Sequence, residues 1–213
     1  ALVSESEQAS VLKRLVARAG EPFVRQAVGG AMRMMGEIFV MGRTIDEAIA
    51  RMKKRENRGF TASFDMLGEA ARTFPDAERY FAAYEDAIRA VGKAAKAGHS
   101  ISVKLSALHP RYEVAQYESC VPSLIEQVEA PATLAAKSNI AFTIDAEESE
   151  RLEMSLDIVE AVAGLPALED WDGLGMAVQA YSKRGRPTVA WADALGAGTG
   201  RRIAVRLVKG AYW

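Results

Sequence analysis

Five polar residues punctuate otherwise apolar stretches of this chain: Asp65, Lys104, Asp145, Gln179 and Arg206. They are separated by 39, 41, 34 and 27 residues, each enough for one strand, a helix and the turns between them. A polar group inside an apolar strand is costly unless it is paired or meets a ligand. In a parallel α/β sheet or a (β/α)8 barrel, ligands bind at the C-terminal ends of the strands, where these five residues fall. Two cations, two carboxylates and one amide suit an anionic substrate group together with a polar heteroaromatic ring. A purely structural ion network along a barrel interior is the competing reading. Neither histidine stands at a strand end. His99 precedes the second strand, and His109, before Pro110, reads as a loop residue. With no clustering of His, Cys and carboxylates, the pattern holds no metal site. Cys120 lies in a helical stretch and does not read as a thiol nucleophile.

The elements that must position these residues follow from periodicity. Strands are expected over Gly59–Asp65, Ser100–Ala107, Ile140–Asp145, Leu174–Tyr181 and Arg202–Val208. Helical stretches are expected over 75–97, 114–137, 147–162 and 187–195, with Pro122 and Pro131 kinking or splitting the second of them. Alternation at this pitch implies parallel β-structure with right-handed crossovers. The first 58 residues read as helix. Ser4 to Glu7 and Thr44 to Glu47 have capping-box spacing, Gly20 is a helix stop, and Pro22 suits a first turn. Met32, Met34, Met35, Phe39 and Met41 read as core filler. Arg51, Lys53, Lys54, Arg55 and Arg58 read as solvated cations at a helix C-terminus.

Glycine signals are weak. Gly196 to Gly200 follows a helix and precedes a strand, the wrong order for a dinucleotide loop, and reads as a helix stop and connection. The run from Arg206 to Trp213 is more informative. It presents a strand-end cation, then Lys209, then Gly210 for close backbone approach, then Tyr212 and Trp213 to cover a ring.

Composition sets outer limits. The chain has 213 residues, 49% of them hydrophobic and 26% charged, with a formal net charge of −1. That is ordinary globular composition with no global field to recruit nucleic acid. One cysteine fits a reducing compartment, and no apolar run reaches the ~18 residues that span a bilayer. The chain lacks an initiator methionine and stops directly after its fifth strand, so a piece of a longer protein is expected.

At this point whole motifs become recognisable. Phe64 to Ala71 (FDMLGEAA), Val103 to Tyr112 (VKLSALHPRY), Ile144 to Glu148 (IDAEE), Val178 to Tyr181 (VQAY) and Arg206 to Trp213 (RLVKGAYW) resemble the proline dehydrogenase domain of the bacterial bifunctional proline utilization A flavoproteins. The resemblance covers nearly the whole chain. It implies a (β/α)8 TIM-like barrel of which the first five strands are present, with residues 1–58 a helical arm and 59–213 the first five βα units. It also implies FAD at the C-terminal strand ends and oxidation of L-proline to Δ1-pyrroline-5-carboxylate by hydride transfer to flavin N5. Electrons would pass to membrane quinone, from a cytoplasmic enzyme that associates peripherally with the inner membrane when reduced. The parent chain would carry an aldehyde-dehydrogenase domain, and this segment would bind no nucleic acid.

The same resemblance implies residue roles. Lys104 would pair with the substrate carboxylate, Asp145 would organise that lysine, Asp65 would join the same polar floor, and Glu69 would gate the site. Arg206 would lie near flavin N5 and Gln179 on the pyrimidine edge. Asp145, Ala146, Val208, Lys209, Gly210, Ala211, Tyr212 and Trp213 complete the cofactor set. Two departures stand out. Strands six to eight are absent, with the arginine pair the family uses for the proline carboxylate, and the link around Lys96 to Ser100 is short. The chain alone is therefore expected to leave an apolar barrel interior uncovered, to leave Lys104, Asp145 and Arg206 facing water, and to be inactive. Two other readings stay open: a Schiff-base lyase with Lys104 as the amine, and a non-catalytic half-barrel.

Overall fold

The computed structural model describes residue 22 and residues 24–210, apart from 33, 37, 69 and 95–97. The capping box at Ser4, the stop at Gly20, part of the short link, and the site residues Glu69, Ala211, Tyr212 and Trp213 lie outside the described residues. The chain divides into two compact units, residues 1–54 and 55–213.

In the first unit, residues 24–32, 34–36 and 38–39 are helical, and α1 spans Ile45–Met52. Thr44 caps α1 as expected, its Oγ1 accepting the Glu47 N–H at 3.2 Å. The Glu47 carboxylate returns to the Arg43 N–H at 2.7 Å, so one orphan donor of the first turn and the N–H just before the cap are both satisfied. The expectation that the methionine-rich stretch fills a core is overturned. Met32, Met34, Met35 and Phe39 are each more than 60% exposed and Met41 is 37% exposed. A unit this short has too little surface of its own to bury a whole apolar stripe.

The second unit is a five-stranded sheet, all parallel, in the order β1-β2-β3-β4-β5. The strands are β1 Ser63–Asp65, β2 Ser100–Val103, β3 Ala141–Ile144, β4 Leu174–Gln179 and β5 Ala204–Val208. Between them run α2 Phe74–Ala94, α3 Leu105–Leu108, α4 Tyr117–Lys137, α5 Leu152–Ala163 and α6 Gly185–Thr199. Arg206 Nη2 on β5 donates to Ser63 Oγ on β1 at 2.5 Å. These strands are opposite edges of the sheet. Four interstrand steps of about 4.8 Å would hold them ~19 Å apart in a flat sheet, beyond the span of an arginine side chain. The sheet is therefore strongly curled, a half-barrel.

Register sorts the side chains into two faces. Phe64 pairs with Ile101, Ile101 with Phe142 and Phe142 with Leu174, while Val103, Ile144, Met176 and Val205 form a second row. These rows face the helices. α2 buries Ala77, Tyr84, Ala87, Ile88 and Val91 at helical spacing, and α4 and α5 bury similar stripes. On α6 the buried stripe is Gly185, Thr188, Ala192 and Gly196. A Cβ at Gly185 would stand 2.9 Å from the Gln179 carbonyl oxygen, so the small residue lets α6 lie directly against the end of β4.

The opposite rows read Ser63, Ser100 and Ala141, then Asp65, Ser102, Thr143, Gly175 and Ala204. The barrel interior is thus small and polar, which corrects the expected apolar interior. The apolar side chains counted along each strand belong to the helix-covered face, because successive residues of a strand point to opposite sides.

Several boundaries also differ. The second strand ends at Val103 and turns at once into α3, so Leu105 to Leu108 are helical rather than extended. The first strand keeps three of the seven expected residues. α4 runs unbroken from Tyr117 to Lys137 through Pro122 and Pro131. Each internal proline costs about 3 kcal/mol. The buried face of Val121, Leu124, Val128, Ala132 and Ala135, packed between α2 and α5, offsets that cost.

Candidate functional site

The C-terminal ends of β1, β2, β3 and β5 bring four of the expected residues into one ionic chain. Lys104 Nζ donates to Asp65 Oδ1 at 2.6 Å and to Asp145 Oδ2 at 3.3 Å. Arg206 Nη1 donates to Asp145 Oδ1 at 2.9 Å. Asp145 therefore bridges both cations, and Ser102 Oγ adds a third donor at 3.3 Å. The local reason is the register. Asp145 N–H donates to the Val103 carbonyl at 2.9 Å, which continues the β2–β3 ladder one step and sets Lys104 beside Asp145.

The side chains of Lys104 and Asp145 are only 13% and 14% exposed. The expectation that they face water in this chain is therefore corrected for these two. Arg206, at 34%, and Asp65, at 44%, are open to solvent. The curled sheet and its own neighbouring strands supply most of the shielding. Burial opposes the Lys104 charge. The hydrogen bond it donates to Asp65 and the charges of Asp65 and Asp145 outweigh it, and the ammonium is held well above the usual lysine range. A Schiff-base nucleophile needs a free amine, so this environment disfavours the lyase reading.

Gln179 ends β4, nine-tenths buried, and its Nε2 donates to the Glu147 carbonyl at 2.9 Å. Past β4 the ladder continues: Ala180 N–H donates to Val208 O at 2.8 Å and Tyr181 N–H to Lys209 O at 3.2 Å. Gly210 has φ +71°, and a Cβ there would meet the Tyr181 ring at 2.8 Å and Gln179 Cβ at 3.1 Å. The backbone of 208–210 thus forms a ledge beside Gln179, with Lys209 exposed on it. Ala146, half-buried, follows Asp145 on the adjoining loop.

Four contributors were not singled out in the sequence. Ser63 and Ser102 each stand two residues before a predicted ion, so the period-two pattern itself was the missed signal. Tyr84, fully buried on α2, accepts the Lys104 backbone N–H on its hydroxyl at 3.2 Å. Burial pushes that phenol up to about 12. Glu147 accepts the Ser106 N–H at 3.0 Å, and burial raises its carboxyl above the usual range. No local pattern announced either. His109 caps α3, its Nδ1 accepting the Arg111 N–H at 3.1 Å, and burial lowers its pKa. Among the described residues, no group of three or more His, Cys, Asp or Glu could hold a metal ion, and no helix is long and apolar enough to cross a membrane.

Comparison with known proteins agrees with this geometry. The chain is 46% identical over 220 residues to Bifunctional protein PutA of Escherichia coli (strain K12), covering all of this chain and 17% of that protein. It is 47% identical over 215 residues to Bifunctional protein PutA of Rhizobium meliloti, covering 99% and 17%. The chain thus spans about a sixth of these relatives. A solved structure of proline utilization A with proline bound in remote sites superposes with a TM-score of 0.77 at 49% identity, over 94% of this chain and 21% of that one. The proline dehydrogenase family model matches residues 48–213, which include the whole curled sheet and its ionic chain, and the chain belongs to that family.

Proposed function

We propose that this segment forms the first five strands of an FAD-dependent proline dehydrogenase. In this reading the full protein oxidises L-proline to Δ1-pyrroline-5-carboxylate and passes the electrons to membrane quinone. The observation that carries the reading is the Asp65–Lys104–Asp145–Arg206 chain on the helix-free face. Lys104 has three N–H donors. Two meet Asp65 and Asp145, and the third is free for a substrate carboxylate. Asp145 keeps the ammonium charged and holds Arg206 on the same face.

The residues present fit FAD. The Gln179 carboxamide spends one N–H on Glu147 and keeps its oxygen for a ring N–H. The ledge at 208–210 offers backbone close to that amide, where Gly210 leaves room, and Lys209 offers charge for a phosphate. Arg206 and Asp145 supply the polar floor, with Ala146 beside it. Bound there, FAD supplies the two-electron acceptor. Arg206 would favour its electron-rich reduced form through a nearby positive charge. Ala211, Tyr212 and Trp213 would cover the ring, and Glu69 would gate the substrate side. Residues 1–58 serve as the arm and 59–213 as the first βα units. An aldehyde-dehydrogenase domain in the same chain and reversible attachment to the inner membrane from the cytoplasm belong to the same reading.

The full-length protein tests it. We expect it to purify with flavin absorbance and to reduce a quinone analogue in the presence of proline. Lys104→Ala should weaken carboxylate-bearing inhibitors by at least about tenfold, the scale of a charged hydrogen bond, with FAD content near normal. Equal losses for inhibitors with and without a carboxylate would remove Lys104 from that role. A protein without flavin or proline oxidation would remove the reading itself.

A further inference from the structure

Two parts of the site, the backbone of Ala70 and Ala71 and the Gln179 amide, are tied to one another through Ser106 and Glu147. On one side, the Ala70 N–H donates to Ser106 Oγ at 3.1 Å and the Ala71 N–H to the Ser106 carbonyl at 2.8 Å. These bonds hold a backbone that is not relaxed. Ala70 has φ 56°, a conformation L-residues with a Cβ seldom adopt, and Gly68 has φ 134°. Ser106 is 4% exposed and Ala71 6%, so the Ala71 bond is shielded from water. On the other side, the Gln179 Nε2 donates to the Glu147 carbonyl. The Glu147 carboxylate closes the gap between the two sides by accepting the Ser106 N–H at 3.0 Å. One hydrogen-bonded path therefore runs from Ala70 through Ser106 and Glu147 to Gln179, crossing from the β1 loop to the β4 end.

We propose that Ser106 and Glu147 are positioning residues, a brace that sets the backbone of Ala70 and Ala71 and the Gln179 amide in a fixed relation. The inference rests on the proposed proline dehydrogenase reading for what those two parts contact. The brace itself rests on this chain's own bonds. Neither residue reaches the ionic chain, and both act through others. The chemistry assigns them separate shares. Losing the Ser106 hydroxyl frees the Ala70 N–H alone, because the backbone bonds of residue 106 persist. Losing the Glu147 carboxylate strands the Ser106 N–H and cuts the link between the two sides, while the Glu147 carbonyl still accepts from Gln179 and Ser106 still accepts from Ala70 and Ala71.

The test uses Glu147→Leu, Glu147→Gln and Ser106→Ala in the full-length protein. Glu147→Gln keeps an acceptor oxygen at the same reach, while Glu147→Leu removes it at similar volume. We expect Glu147→Leu to speed amide hydrogen exchange at residues 70, 71 and 106 by at least about tenfold. It should also shift the visible flavin spectrum and lower kcat/KM for proline by a comparable factor. Glu147→Gln should restore all three to within about threefold of wild type. Ser106→Ala should raise KM and exchange at residue 70 while leaving the flavin spectrum unchanged, since it touches only the first side. The brace is overturned if Glu147→Leu, still folded by circular dichroism, leaves exchange at 70 and 71 and the flavin spectrum at wild-type values. It is equally overturned if Glu147→Gln behaves as Glu147→Leu does. The hydrogen-exchange arm needs neither flavin nor proline, so a wild-type protein without proline oxidation would remove the functional reading and still leave the brace to be judged.

Discussion

The two faces of the half-barrel are built from the same strands, one residue out of phase, and they do opposite work. On the helix-covered face, Ile101, Phe142 and Leu174 are wholly buried and in register. Their contribution is apolar area removed from water, roughly 1.5–3 kcal/mol for each such side chain. On the open face, Asp65, Lys104, Asp145 and Arg206 contribute little net stability. The desolvation of ions offsets much of their mutual attraction, and the more exposed Asp65 and Arg206 are further screened by solvent. What the second face contributes is a fixed arrangement of charge. A fold that keeps stability and chemistry on separate faces lets either be altered with modest effect on the other.

That separation can be broken deliberately. Phe142→Ala on the covered face should have the largest effect on stability, about 3–5 kcal/mol for a large-to-small change in a packed core. It would read out as a fall in thermal midpoint and soluble yield of the full-length protein. A loss below about 1 kcal/mol would mean that this face is not the stabilising one.

On the open face, Lys104→Met should cost less stability, up to about 3 kcal/mol because Asp145 is left without one of its cations. The same change should remove most proline turnover. The pH dependence carries a definite sign. The folded-state pKa of Lys104 is raised, so its contribution is fully present below the unfolded value of about 10.4 and is lost as pH rises through the folded value. The stability gap between wild type and Lys104→Met should stay constant from pH 7 to about pH 10 and narrow only above that. A gap that closes by pH 9 would show that the lysine is not held by its two carboxylates.

Arg206→Met sharpens the comparison further, because this side chain is a third exposed. Stability should change by about 1 kcal/mol or less. The flavin potential should fall by tens of millivolts, since about 1.4 kcal/mol of lost stabilisation of the reduced form corresponds to ~30 mV. An unchanged potential in a variant that still holds FAD would remove Arg206 from the cofactor. The smallest effect is expected at Ser102→Ala, about 0.5 kcal/mol, the low end for one hydrogen bond, here 3.3 Å long to Asp145, seen as a slight shift in thermal midpoint.

The ionic chain was legible because each ion interrupts an apolar run, and the interruption survives any error in strand length. The short first strand and the turn into α3 directly after Val103 did not disturb the reading of Asp65 or Lys104 for that reason. Other readings failed where a local pattern has two tertiary outcomes. The methionine stripe around Met32 to Met41 has the spacing of a buried face, but burial requires a partner surface. Pro122 and Pro131 break isolated helices, yet α4 continues through both because its apolar face is packed. The interior was misjudged because apolar content was counted along strands and not by alternate residues.

Residue order alone determined which groups stand at the strand ends, and with them the family. Both follow from short stretches of chain, where side-chain direction has period two and motif spacing is covalent. Only the tertiary structure decided that Asp145 serves two cations, that Arg206 reaches Ser63 across the open face, and that Ser106 and Glu147 join the β1 loop to Gln179. Those contacts join residues 32 to 143 positions apart. They depend on the curl accumulated over four strand pairings, a sum of small twists that no single segment encodes.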